Sequence, residues 1–332
     1  MPVTLRDIAK HLGISHATVS FVLNNRMDMG ITEATRQRVL TAAEELGYRP
    51  NRAARALTTG RTDMLAVCLP STSDGYYSTL LQGVQEAVTG SEFEIVVWQS
   101  QTDGALRKRP VDLNVDGYLA FDLDSPDSEF VNGSGSMKPG VNVGMVRREG
   151  WDNVLVDVSA AAIEAFQHLI NIGCRRIAYL RPATQGQPKD SLYRTFRSLK
   201  STPGITTDEI QTHGLDRKKA MEAVKDYTQK WGAPEGIVCF NDGLAIAAKR
   251  ALSELGIRTP NDVAIVGSGG IEEAEYAWPP ISTIEHPIKD ICRTSWEFLE
   301  HRVEWPTDEP QEMVFQAKFV ARESSTGFRR KR

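Results

Sequence analysis

The chain has 332 residues, 41% hydrophobic and 25% charged, with a formal net charge of −4. That length supports more than one domain and a large core, and the composition is ordinary for a soluble protein. No run of about eighteen apolar residues exists to span a membrane, and the N-terminus lacks an apolar signal segment, so a cytoplasmic location and no membrane contact are expected.

Residues 4–24, TLRDIAKHLGISHATVSFVLN, read as a DNA-reading helix-turn-helix. Thr4 is placed to cap a first helix with Asp7 returning the bond, and Leu5, Ile8, Ala9 and Leu12 form its apolar side. Gly13 ends that helix. Ser15 caps a second, whose inward residues are Val19, Val22 and Leu23. His16, Ala17, Ser20 and Phe21 face outward with no acidic side chain among them, so this helix can enter a major groove without repelling phosphates. An ordinary helical hairpin is the alternative for this segment taken alone. A third helix is predicted over roughly 32–47, with Val39, Leu40, Ala43 and Leu46 in a three-helix core and Arg36 and Arg38 outside.

Pro50 then stops the chain. Residues 51–59, NRAARALTT, form a short helix-capable stretch that should order only on a partner. Leu57 with Arg52 and Arg55 nearby is what a minor-groove wedge needs, because the apolar side chain pries a base step while the arginines hold phosphate. A bare linker would be polar throughout. Residues 1–61 carry a net +4, so the remainder carries −8. A basic head on an acidic body favours one docking face for DNA.

Beyond residue 62, strand and helix patterns alternate, which predicts parallel sheets with crossover helices. Strands are expected at 65–69, 94–98, 117–121, 141–146, 154–158, 176–180, 210–212, 236–240 and 263–267. Helices are expected at 77–88, 160–172, 218–231 and 244–255, and 101–115 and 122–140 are loop-like. Gly267-Ser268-Gly269-Gly270 has the look of a phosphate-cradling loop. Glu272, Glu273 and Glu275 put negative charge where phosphate would sit, so a plain turn is expected. Cys68, Cys174, Cys239 and Cys292 form no Cys-x-x-Cys pair and read as reduced core residues. The histidines show no metal-ligand spacing, and no nucleophile or acid–base constellation points to catalysis. No metal, cofactor or enzyme activity is therefore expected, and the basic tail at 329–332 reads as a solvated end.

The segments TLRDIAKHLGISHATVSFVLNN, ELGYRPNRAARAL, HLINIGCRRIAYL (168–180), CFNDGLAIAAKRALSELGIRTPNDVAIVG (239–267), PPISTIEHPIKDIC (279–292) and ARESSTG (321–327) resemble the LacI/GalR family of bacterial transcription regulators. The resemblance covers nearly the whole chain. It implies an all-α helix-turn-helix headpiece at 1–50, a hinge helix at 51–62, and a two-lobed, periplasmic-binding-protein-like α/β core with parallel sheets at 63–332. On that fold the strands up to 141–146 belong to the first lobe, and those from 154–158 onward to the second.

The resemblance further implies a homodimer on double-stranded, pseudo-palindromic operator DNA, acting as a repressor. His16, Ala17 and Phe21 take the family's base-reading positions, with Ala17 and Phe21 limited to apolar contact such as a thymine methyl. Thr4, Thr18, Ser20, Asn24, Thr32 and Arg36 are the expected phosphate contacts, and Ala54, Arg55 and Leu57 the minor-groove contacts. In the sensing cleft the chain departs from the family. Asn241 and Asp242 remain, but Gly269, Leu192 and Val146 stand where polar side chains are usual, and Arg147 and Arg148 follow. Two readings stay open. One is an anionic effector held by Arg147 or Arg181 with Asn241, in a cleft that also includes Asp242. The other, favoured because three polar positions are replaced, is a core with no small-molecule effector. A solute-binding protein of a transporter would need a secretion signal and no headpiece, and an enzyme would need more than Asn241-Asp242.

Overall fold

The computed structural model describes residues 3–23, 30–49, 56, 60–72, 74–99, 109–123, 130, 138–183 and 191–328. The chain divides into two compact units, Met1–Thr62 and Asp63–Arg332.

The first unit holds α1 (Leu5–Leu12), α2 (His16–Leu23) and α3 (Glu33–Glu45) around Ile8, Ala9, Val19, Val22, Val39, Ala42 and Ala43. The Thr4 backbone N–H and hydroxyl both donate to the Asp7 carboxylate, at 2.9 and 2.7 Å, which fixes the start of α1. Gly13 ends α1 in the left-handed region at φ 64°, where a Cβ is disfavoured. The Thr18 N–H then donates to Ser15 Oγ at 3.0 Å and caps α2.

Two expectations for α3 are corrected. Leu40 is 43% exposed, because the buried stripe runs through positions 36, 39, 42 and 43 and leaves residue 40 on its flank. Arg36 lies on that stripe three residues before Val39, so it is buried instead of outside, with Glu33 4.0 Å from its guanidinium.

The second unit is built on two six-stranded sheets. The first runs β11-β5-β4-β3-β1-β2, from β1 (Met64–Leu69), β2 (Glu94–Gln99), β3 (Gly117–Phe121), β4 (Gly140–Gly144), β5 (Asp152–Asp157) and β11 (Glu312–Gln316), and every pairing is parallel. The second runs β12-β10-β9-β8-β6-β7, from β6 (Arg176–Pro182), β7 (Thr206–Thr212), β8 (Gly236–Cys239), β9 (Ala264–Gly269), β10 (Ser282–Glu285) and β12 (Lys318–Val320). Its one antiparallel pairing joins β10 to β12.

The strand expected at 154–158 was placed in the second lobe, and this is corrected: β5 pairs with β4 in the first sheet. The chain first changes sheets after β5, through the helix Ser159–Asn171. The C-terminal part also exceeds the sequence-derived elements. The helix Ile288–Glu304 packs on the first sheet and on the helix Gly75–Val88, and β11 and β12 then close one sheet each. Buried Ile291, Cys292, Trp296 and Leu299 give that helix its inner face at helical spacing. The four cysteines are buried and free.

Candidate functional site

In the headpiece, α2 exposes His16 and Ala17 to solvent, with Ser20 and Phe21 half-buried at its side. Its first turn carries no acidic residue. The candidate phosphate residues are partly spent on the fold. Thr4 is engaged with Asp7, Thr18 Oγ1 lies 2.8 Å from Ser15 Oγ, and Thr32 caps α3 by accepting the Thr35 N–H at 3.3 Å. Asn24, Ala54, Arg55 and Leu57 lie outside the described residues.

In the core, a cavity of about 240 Å³ opens at the carboxyl ends of the strands of both sheets. Such an edge is where open parallel sheets bind ligands, because strand ends leave loops and helix N-termini around a crevice. Asp74, Tyr76 and Tyr77 reach it from the loop after β1 and the helix behind it. Asp122, Gly144 and Met145 reach it from β3 and β4, and Phe240, Asn241, Ser268, Gly269 and His286 from the second sheet. Asp74 caps the helix Gly75–Val88 through the Tyr76 N–H at 3.0 Å and accepts Asn241 Nδ2 at 2.8 Å, a bond that ties the two sheets together across the cleft.

Asp122 sits at φ 45°, a strained backbone for a residue with a Cβ. A Cβ on Gly144 would come within 2.3 Å of its carboxylate, so only glycine fits there. Tyr77 Oη donates weakly to Asp122 at 3.5 Å. Burial pushes the Asp122 carboxyl up to about 6, against smaller lowering by the Met145 N–H and the Tyr77 hydroxyl. Burial also raises Asp74 and depresses His286 to about 4. The His286 ring, 3.0 Å from Tyr76 Oη through Nδ1, is therefore neutral at physiological pH.

This lining corrects the sequence-derived cleft. Arg147 does not reach the cavity: it is exposed and pairs with Glu312 at 2.7 Å. Arg181 is buried but spent on Glu209 at 2.8 and 3.0 Å, and lies over the Tyr193 ring. Asp242 is fully buried and its carboxylate is consumed by the fold, taking the Gly270 N–H at 2.7 Å, the Ile271 N–H at 3.0 Å and the Thr283 hydroxyl at 2.7 Å. Those bonds hold the Gly267–Gly270 stretch in place. A Cβ on Gly267 would lie 2.1 Å from the Asp242 carboxylate, so glycine there makes room for a structural side chain, not for a phosphate. Of the four proposed cleft residues, only Asn241 lines it.

Asp74, Tyr76, Tyr77, Asp122 and His286 were missed. Asp122 directly follows the predicted strand 117–121, and the carboxyl-end rule for parallel sheets marks that position.

Asp122→Asn tests the electrostatics of this lining. The folded value of about 6 exceeds the ordinary 3.8, so the wild-type contribution favours folding below about 4 and is lost as pH rises through about 6. The Asn variant is expected to unfold at higher urea than wild type near neutral pH, with the gap closing below about pH 4. A gap independent of pH would contradict this.

A helix-turn-helix unit followed by a two-sheet core with a cleft at its strand ends defines the class: a DNA-binding regulator with a periplasmic-binding-protein-like core. Residues 4–51 match the bacterial regulatory proteins of the lacI family, and residues 166–325 match a periplasmic binding protein-like domain. The chain is 30% identical to the HTH-type transcriptional regulator DegA of Bacillus subtilis, covering 88% of each chain. It is 25% identical to the transcriptional repressor PurR of Photobacterium profundum, covering 97% of this chain and 98% of that one. The fold matches a lac repressor dimer bound to operator and an anti-inducer with a TM-score of 0.79, at 20% identity, over 98% of this chain and 99% of that one. The chain belongs to the LacI family of bacterial transcriptional regulators. These relatives are regulators, not enzymes, and among the described residues no helix is long and apolar enough to cross a membrane.

Proposed function

We propose that this protein is a cytoplasmic, ligand-responsive transcriptional repressor that reads a pseudo-palindromic operator as a homodimer. The observation that carries the reading is the acid-free, exposed face of α2 on an independent headpiece. His16, Ala17 and Phe21 are the base readers, with His16 the hydrogen-bonding member. Thr4, Thr18, Ser20, Asn24, Thr32 and Arg36 position the backbone. Arg36 does so from a buried site, by orienting α3 and its capped N-terminus more than by a free guanidinium. Residues 51–62 serve as the hinge between the headpiece at 1–50 and the core at 63–332, with Leu57 wedged in the minor groove between Ala54 and Arg55 contacts.

The dimer is supported by the lac repressor assembly that the fold resembles. Tyr276 and Trp278 are a second support, 77% and 88% exposed on the core. Large aromatics left in water mark contact surfaces. The cavity, mostly apolar with a few convergent polar groups, favours a core that binds an effector over one that has lost it. No arginine among the described residues lines that cavity, so the anionic reading loses its basis.

Selection of bound fragments from random DNA by the full chain tests the whole. Two inverted half-sites with centres about one helical turn or a multiple apart are expected. Recovery of a single unpaired half-site would sink the dimeric reading, and recovery of no common sequence would sink the repressor.

A further inference from the structure

The cavity holds two carboxylates and no counter-charge. Asp74 takes only the Asn241 amide and the helix N–H groups it caps, and Asp122 only a backbone N–H and a long tyrosine bond. Among the described residues neither carboxylate forms an ion pair, and no Lys or Arg lines the space. Three arginines outside the lining have other carboxylate partners. Arg181 is held by Glu209, Arg147 by Glu312, and Arg217, which acts on Asp74 through space, lies 3.9 Å from Glu273 with its side chain 43% exposed. Two carboxylates left in a partly apolar space are costly unless something supplies positive charge.

The walls fit such a guest. Tyr76, Tyr77 and Phe240 line the cavity, and aromatic faces attract cations through the ring quadrupole. Tyr76 and Tyr77 meet edge to face with centroids 5.4 Å apart, so the two rings present different faces. An anion would meet two like charges here. A neutral polyol would satisfy acceptors but leave the charge uncompensated.

We propose that the cleft takes a small organic cation, an amine, held by Asp74 and Asp122 against the rings of Tyr76, Tyr77 and Phe240. This rests on the reading of the core as effector-responsive and names the chemistry of that effector. The amine spans the two lobes, because Asp74 and Asp122 come from the first sheet while Phe240 comes from the second. Its presence would reinforce the bridge that Asp74 and Asn241 already make.

Calorimetry on the full chain with matched probes tests this. Glucosamine, glucose and a hexose phosphate share a scaffold and differ in charge, and putrescine and butanediol form a second pair. Each amine is expected to bind at least about tenfold tighter than its neutral counterpart, and the phosphate not to bind. The putrescine charge is constant through the acidic range, so its affinity reports the protein carboxylates. The groups facing Asp122 are the Tyr77 hydroxyl and the Met145 N–H, with Asp74 and neutral His286 around the same cavity. Affinity should therefore weaken as pH falls through about 6.

Asp74→Asn and Asp122→Asn each remove the charge and keep one acceptor oxygen, and each should abolish the preference for amines. The thermal unfolding midpoint is expected to hold or rise for Asp122→Asn. Asp74→Asn, whose two oxygens accept from the Tyr76 N–H and the Asn241 amide, loses one of those bonds and is expected to melt somewhat lower while staying folded. Equal binding within each pair, tighter binding of the phosphate, binding of no probe, or a preference surviving in both folded variants would overturn the proposal. A neutral or anionic molecule that releases the selected operator would overturn the amine alone and leave the ligand-responsive repressor standing.

Discussion

Arg302→Ala is expected to destabilise the core by about 3–5 kcal/mol, the usual effect of breaking a buried ion pair from one side. The guanidinium grips Asp152 with two bonds, Nε at 2.7 Å and Nη2 at 2.9 Å. Asp152 is 1% exposed and Arg302 9%. The remaining donors hold the carbonyls of Pro306, Asp308 and Glu309, and Asp152 also accepts the Gln311 N–H at 2.6 Å. One arginine at the end of the helix Ile288–Glu304 thereby fixes the loop that delivers β11 to the outer edge of the first sheet, beside β5. Alanine would leave Asp152 buried, charged and half-partnered, and would release three carbonyls. Urea unfolding followed by core tryptophan fluorescence measures the loss. The headpiece is a separate unit, so its transition must be followed apart from that of the core. Arg302→Ala combined with Asp152→Asn should lose less than the single substitutions summed, because the stranded charge is gone. A single-variant loss below about 1 kcal/mol would show that the clamp is ornamental.

The headpiece helices and the strands themselves were legible for different reasons. Cap, glycine and helical spacing are local signals, so α1 and α2 follow from Thr4, Asp7, Gly13 and Ser15 alone. Parallel strands buried on both faces read as apolar runs, and the first-sheet strands β1 and β3 were found that way. Which sheet a strand joins is not local. Residues 152–157 look the same in either lobe, and only pairing with β4 decides.

The cleft was illegible for the same reason, at the level of charge. Arg147 and Arg181 read as free cations because their neutralising partners, Glu312 and Glu209, lie 165 and 28 residues further along the chain. Asp242 read as a ligand contact because its three donors come from residues 270–283. Asp122 carried a usable signal in its place just after β3, but its burial and its lack of a cationic partner exist only in the folded chain.

Leu57→Ala is expected to weaken specific operator binding by about 100-fold while leaving binding to unrelated DNA nearly intact. A minor-groove wedge offsets the few kcal/mol needed to unstack a base step, and a few kcal/mol corresponds to about two decades of affinity. Nonspecific binding comes from phosphate neutralisation, to which a leucine contributes nothing. The salt dependence of the variant should therefore match wild type on both kinds of DNA. Arg55→Ala provides the opposite signature, a roughly uniform loss on all DNA with a salt slope reduced by about one. Titrations against the selected operator and against random duplex at several salt concentrations separate the two. Equal losses on both DNAs for Leu57→Ala would mean that the side chain supports the headpiece or the hinge and never enters the groove. A loss confined to the operator would make Leu57 the element that joins two helix-turn-helix half-site readers into one bent complex. The proposed base-reading face of His16, Ala17 and Phe21, largely apolar and short of hydrogen bonds, would then draw part of its specificity from how readily the operator centre deforms.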